Sequence, residues 1–255
     1  MASSPRPSPG DADRWGLASP LTDLRKGRVL AILWAEVPAA RRAELETWAT
    51  SEPLASVGPT TGILAVGRYA GISGAPSFIE VHELRSDDAT VVAASGAALS
   101  ATRRALERLG GAILPGGALG EAGASRAGTD GAAGVYGQIF PPGIDERAAV
   151  HGLPPALQIG RIDIPPAHEE EFNEWYNTEY LIGNMTVNGV YTARRYLNRG
   201  SGPRYLTVYE FAHTEVSRQP AWDRARAQSV WRRRIERLWA HAPGSPGIYR
   251  RLAAR

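Results

Sequence analysis

Residues 29 to 84 align with residues 156 to 211 without a gap, and 14 of the 56 positions are identical, where roughly four would match by chance. The identical positions are informative residue types: Trp48 with Trp175, Glu52 with Glu179, Leu54 with Leu181, Gly62 with Gly189, Arg68 with Arg195, Tyr69 with Tyr196, Pro76 with Pro203 and Glu83 with Glu210. After a two-residue slip, Leu106 to Leu109 falls on Ile235 to Leu238, and Gly134-Val135-Tyr136 resembles Gly247-Ile248-Tyr249. The chain therefore reads as one unit of roughly a hundred residues written twice. Any fold it adopts has to be built two times over.

The second copy shows the order of elements. Ala156 to Ile164 alternates with β-branched residues and stops at Pro165-Pro166, which predicts a strand. Phe172, Trp175, Tyr176 and Glu179 recur at helical spacing, predicting a helix over 167–181. Gly189 to Asn198 and Arg204 to Phe211 flank a Gly/Ser/Pro turn and predict a hairpin. Trp222 to Leu238 continues as one long amphipathic helix, and Ile248 to Leu252 closes the unit as a strand. The order βαββαβ is the ferredoxin-like unit, a four-stranded antiparallel sheet with both helices on one face. The bare face needs cover, and the second copy supplies it. The expected class is thus α+β: two ferredoxin-like repeats packed sheet to sheet, an intramolecular dimeric α+β barrel enclosing a cavity. A homodimer of such chains is compatible with this arrangement but not needed for it.

Composition sets the boundaries. Residues 1–26 are rich in Pro, Ser, Gly and Asp and read as a disordered arm; 27–142 is the first repeat, 143–153 a linker and 154–255 the second repeat. The Gly/Ala-rich stretch 111–133 reads as a loop inserted before the first repeat's last strand. With no apolar run of membrane-spanning length and no leader pattern, the expectation is a cytoplasmic protein without a membrane partner. The chain lacks cysteine, so disulfides and thiolate chemistry are excluded. A net charge of +3 is small, and the arginines of 218–237 read as a solvated helix face, not a nucleic-acid surface.

The segment His168 to Phe211 resembles the dimeric α+β barrel superfamily and is most similar to the EthD-like proteins, in which a Trp-Tyr-x-x-Glu-His helix precedes a Gly-Val strand, an Arg-Arg-Tyr strand and a Tyr-Leu-x-x-Tyr-Glu strand. The superfamily includes polyketide cyclases, cofactor-free monooxygenases, lactone isomerases and haem enzymes, so the resemblance implies a fold more than a reaction. Where the family carries His after the helix Glu, this chain has Tyr180 in one copy and Pro53 in the other. A phenol, with an ordinary pKa of about 10, carries protons poorly at neutral pH.

Positions that differ between the copies can mark one pocket. Trp34 and Arg161 are equivalent, so one pocket is expected to be apolar and the other cationic. On the third strand Ile79, Val81, Leu206 and Val208 are assigned to the helix-packed side, which leaves Phe78, Glu80 and His82, and Tyr205, Thr207 and Tyr209, as cavity wall. Asn177, Glu179, Tyr180 and Asn184 would stand at the second pocket's mouth, against Thr50, Glu52, Pro53 and Val57 in the first. The second pocket is therefore the polar one. Catalytic candidates are Tyr180, Glu179, Arg161 and His82, with Glu179 or Tyr180 moving a proton and Arg161 or Asn184 holding negative charge; Trp34, Asn177, Asn184, Arg195, Tyr205, Thr207 and Tyr209 would bind substrate. Glu52 and Glu179 are expected to pair with Arg68 and Arg195 in the two copies. No metal site is indicated, since the five histidines show no ligand spacing.

The expected function is a cofactor-independent lyase, isomerase or cyclase acting on a small aromatic or apolar molecule. The alternatives are a non-catalytic small-molecule-binding protein of the same fold and, less favoured, a haem protein ligated through His82 or His213.

Overall fold

The computed structural model describes residues 26–58, 60–114, 133–143, 153–229 and 231–252. Most of the expected arm (1–26), inserted loop (111–133) and linker (143–153) lies outside them. The first half comprises β1 (Val29–Glu36), α1 (Arg42–Ser51), β2 (Ile63–Ser73), β3 (Phe78–Leu84), α2 (Ala89–Arg108), the two-residue β4 (Ala112–Ile113) and β5 (Ala133–Phe140). The second half comprises β6 (Ala156–Asp163), α3 (Glu169–Trp175), a π-helical turn (Tyr176–Tyr180), α4 (Leu181–Met185), β7 (Val190–Asn198), β8 (Tyr205–Phe211), α5 (Pro220–Ala227), α6 (Arg232–Ile235), β9 (Ala240–His241) and β10 (Gly247–Leu252). The single helix expected over 222–238 is thus two short ones, α5 and α6. No described helix is long and apolar enough to cross a membrane.

The strands do not form two separate sheets. They run β2, β3, β1, β5, β7, β8, β6, β10 and back to β2, every neighbour antiparallel, as one closed eight-stranded barrel. Short β4 extends β1, and β9 extends β6. Within each half the order is fourth, first, third, second strand. The halves join where β5 pairs with β7 and where β10 pairs with β2. Closure satisfies the backbone groups that a free edge would expose. Gly62 and Gly189, with φ of +68° and +91°, precede β2 and β7 at equivalent places, and a side chain there would be strained.

Helices cover the outside of each half. In the first, Leu45, Ala49, Leu99 and Leu106 pack on Val29, Ala31, Leu33 and Phe78. In the second, Phe172, Trp175, Tyr176, Leu181 and Trp222 pack on Ala193, Tyr205, Tyr209 and Phe211. The barrel interior is a third core of Leu30, Ile32, Trp34, Tyr69, Ile79, Val81, Tyr136, Leu157, Ile159, Tyr196, Leu206, Val208 and Tyr249. Fully burying one such aliphatic or aromatic side chain contributes about 1.5–3 kcal/mol.

Two expectations are corrected here. The space between the sheets is filled by these side chains, so it is a packed core instead of a ligand cavity. The face assignment on the third strands is also reversed. Ile79, Val81, Leu206 and Val208 point into the barrel, whereas Phe78, Glu80, His82, Tyr205, Thr207 and Tyr209 face the helices. Phe78 lies 6.0 Å from Trp48 on α1, His82 bonds Ser95 on α2, and Tyr209 lies 5.1 Å from Trp222 on α5.

One end of the interior is charged. Lys26, the last residue of the expected arm, is buried with its Nζ 2.5 Å from Glu210. Arg194 donates to Glu83 and, at 3.0 Å, to Glu210, and the Gly27 amide donates to Glu83 at 2.9 Å. Two cations thus meet two carboxylates, which is the condition under which buried charge is tolerated.

Candidate functional site

The sequence-predicted site residues separate into three places. Trp34 and Arg161 lie in the barrel at the end away from the charge cluster. There the Trp34 indole donates to the Tyr136 hydroxyl at 3.0 Å, and Arg161 stands 5.4 Å over the Trp34 ring. The Arg161 guanidinium donates to the carbonyls of Ala75 and Pro243 at 2.7 and 2.9 Å, tying down loops. Burial draws its pKa below the ordinary arginine value.

His82 lies in the first half, fully buried, with Ser95 Oγ at 2.9 Å from Nδ1 and Glu80 Oε1 at 3.0 Å from Nε2. The other Glu80 oxygen accepts from Arg68 Nε at 2.7 Å and Thr102 at 2.9 Å. Burial, the largest influence on Glu80, works to raise its pKa, but the bonds from His82 and Arg68 outweigh it and hold the carboxyl below its usual range. Every polar atom of this group has a partner, and the group joins α2 to the sheet.

The remaining candidates, Asn177, Glu179, Tyr180, Asn184, Arg195, Tyr205, Thr207 and Tyr209, come together in the second half between the helices and β7–β8. Arg195 is wholly buried. Its two terminal nitrogens donate to Asn177 Oδ1 at 2.7 Å and Asn173 Oδ1 at 2.8 Å, and its guanidinium lies 4.4 Å from the Tyr176 ring centre. Asn184 donates to the Tyr209 hydroxyl at 3.0 Å, and Asn173 to that of Tyr205 at 3.1 Å. The expected Glu–Arg pairs do not form. Arg68 binds the backbone carbonyl of Glu52 at 2.9 Å and pairs with Glu80 instead, while Glu179 accepts from the Ser229 hydroxyl.

Above this layer lies a nest of rings. Trp175 sits 4.9 Å from Tyr180 and 5.5 Å from Trp239, and Tyr176 sits 4.8 Å from Tyr180. Desolvation, the leading cause for each, raises the phenol pKa values of Tyr176, Tyr180 and Tyr209, so these groups stay protonated. The π turn carries Tyr176 to Tyr180, and the rings at its two ends both join the nest. Such turns often mark functional positions.

An open surface depression of about 570 Å³ adjoins the nest, lined by Ala227, Gln228, Ser229, Arg232, Arg233 and Glu236 between α5 and α6. It connects with the site through Ser229, which accepts from the Trp175 indole at 2.7 Å and donates to Glu179. Arg232 bonds Glu236 at 2.7 Å, and Arg226 stands 3.6 Å from the same carboxylate. Ser229, Arg226 and Trp239 are site residues that sequence reasoning missed. The signal available for them was the departure of 218–238 from a clean helical period at Gln228-Ser229.

No family model matches the chain, and no curated protein matches it. Among solved structures it is similar to a putative chlorite dismutase at 10% identity and a TM-score of 0.51, covering 88% of this chain and 94% of that one. It is also similar to a mutant chlorite dismutase from Candidatus Nitrospira defluvii, at 15% identity, a TM-score of 0.49 and 94% of each chain. A heme-binding protein from Thermus thermophilus matches at 10% identity and a TM-score of 0.47, covering 89% of this chain and 92% of that one. The fold is that of the dimeric α+β barrel proteins. The first of these comparisons overturns the expectation of a cofactor-independent lyase, isomerase or cyclase, since that structure of the same shape is named a putative chlorite dismutase.

Haem is one of the alternatives that the sequence leaves open. Its iron needs an axial donor beside a void. The depression between α5 and α6 has no histidine, tyrosine or methionine in its lining. Both ring nitrogens of His82 are engaged, and His213 and His241 lie at the surface. Neither this depression nor these three histidines fit a haem iron.

Proposed function

We propose that this chain is a small-molecule-binding protein, a duplicated ferredoxin-like unit whose second half holds an aromatic or otherwise apolar ligand between its helices and its strands. The EthD-like resemblance of residues 168–211 belongs to the same reading. The observation that carries it is the nest of Trp175, Tyr176, Tyr180 and Trp239 laid over the buried Arg195, joined through Ser229 to the open depression between α5 and α6. The first half has the same strands, but among the described residues no equivalent cluster of rings. Arg232 and Arg233 at the depression give its mouth a positive charge.

The test uses the neutral fluorophore N-phenyl-1-naphthylamine with the full chain. Saturable binding that quenches tryptophan emission, and its loss in Ser229→Trp, which obstructs the junction between the depression and the nest, is the expected result. Absence of saturable binding overturns the reading. A Soret band in the purified protein would replace it with a haem protein.

A further inference from the structure

The two halves place an arginine at the same point of the same strand, and only one of them supplies its counter-charge. Arg68 on β2 lies opposite Glu80 on β3, and Arg195 on β7 lies opposite Thr207 on β8, in identical register. In the first half the Glu80 carboxylate accepts from Arg68 Nε at 2.7 Å. In the second half the acid is replaced by a hydroxyl, and the neighbouring His82 by Tyr209.

Arg195 is nevertheless the more deeply buried of the two, at 0% exposure against 4%. Its partners are the neutral carboxamides of Asn173 and Asn177, and its Nε has no hydrogen-bond partner. The charged or titratable groups that act on it are the phenols of Tyr176, Tyr205 and Tyr209. A guanidinium taken out of water without an anion is costly, and proteins ordinarily pair it.

We propose that the second half takes from its ligand the anion that the first half provides as Glu80. The ligand is a small carboxylate, its acid group bound beneath the π turn by Arg195 Nε and the Thr207 hydroxyl, two buried groups without a hydrogen-bond partner. This rests on the binding reading above and narrows its ligand to acids. A guanidinium matches a carboxylate in charge and in planar geometry.

Benzoate, with neutral benzamide as its control, tests the assignment on the full chain by calorimetry and thermal melting. Benzoate is expected to bind wild type about tenfold or more tighter than benzamide and to raise the melting temperature. Thr207→Glu restores a fixed carboxylate, so it should melt higher than wild type without ligand and lose the preference for benzoate. Arg195→Gln, which removes the buried charge without adding bulk, should lose the same preference and carries the test if Thr207→Glu does not fold. Equal binding of benzoate and benzamide by wild type, or a preference that survives Arg195→Gln, overturns the proposal. If N-phenyl-1-naphthylamine binds while benzoate shows no preference, the acid site alone fails; if neither binds, the binding function fails with it.

Discussion

Glu83 and Glu210 occupy equivalent positions on β3 and β8, and one guanidinium, that of Arg194, bonds both of them inside the barrel. Arg194 has Gly67 as its counterpart, so the duplicated carboxylates are served by an unduplicated arginine, with Lys26 as the second cation.

Removing Arg194 should therefore cost more than removing a surface arginine. Arg194→Met leaves two buried carboxylates to share Lys26, and breaking such a buried pair costs about 3–5 kcal/mol. Denaturant unfolding checks the value. A loss of under about 1 kcal/mol would mean that the cluster is solvated in solution.

Acid should unfold the protein through the same interior. Burial, the largest influence on Glu83, acts to raise its pKa, but Arg194 and Lys26 outweigh it, and the folded value lies below the ordinary 4.5. Glu80 is likewise held below 4.5. A depressed folded pKa contributes stability that is complete above the unfolded value and is lost as pH falls through the folded one. Melting temperature should hold down to about pH 4.5 and fall below it, with Glu83→Gln less stable at neutral pH and less sensitive to acid.

Gly134 and Gly247 should each refuse a side chain. A Cβ at either position falls within contact distance of the hydroxyl two residues on, that of Tyr136 or Tyr249, and both rings are buried in the barrel. Gly134→Ala should destabilise by about 1–3 kcal/mol by overpacking. It also displaces Tyr136 from the Trp34 indole, so Trp34 emission should shift.

Ser229 links the depression to the ring nest. Ser229→Ala removes the acceptor of the buried Trp175 indole and the donor to Glu179, an expected loss of about 1–3 kcal/mol. Chemical denaturation measures it. A neutral substitution would show that water replaces the serine.

The repeat made the barrel legible, because two copies of one strand order can close only against each other. The face assignment failed for a physical reason: the barrel interior and the helix-covered side are both apolar, so alternation alone does not distinguish them. Pairing does. Trp34 lies opposite Ile79 across β1 and β3, and side chains of opposed residues share a face. Placing Trp34 inward and Ile79 outward was therefore inconsistent. The grouping of Asn177, Asn184, Arg195, Tyr205, Thr207 and Tyr209 survived the reversal, because these residues lie on the surfaces that α3, the π turn and α4 share with β7 and β8. Lys26 and Arg194 were missed, since the arm's composition hides the first and the repeat has no match for the second.

The two seams, β5 against β7 and β10 against β2, make the barrel behave as a hoop. A residue inserted in β7 cannot be accommodated by sliding that strand alone, because its shift would be carried round all eight strands and return to where it began. Each one-residue slip would also turn a strand's inward side chains outward. Length changes are therefore confined to the loops, and the hoop's circumference is set once, by both halves together.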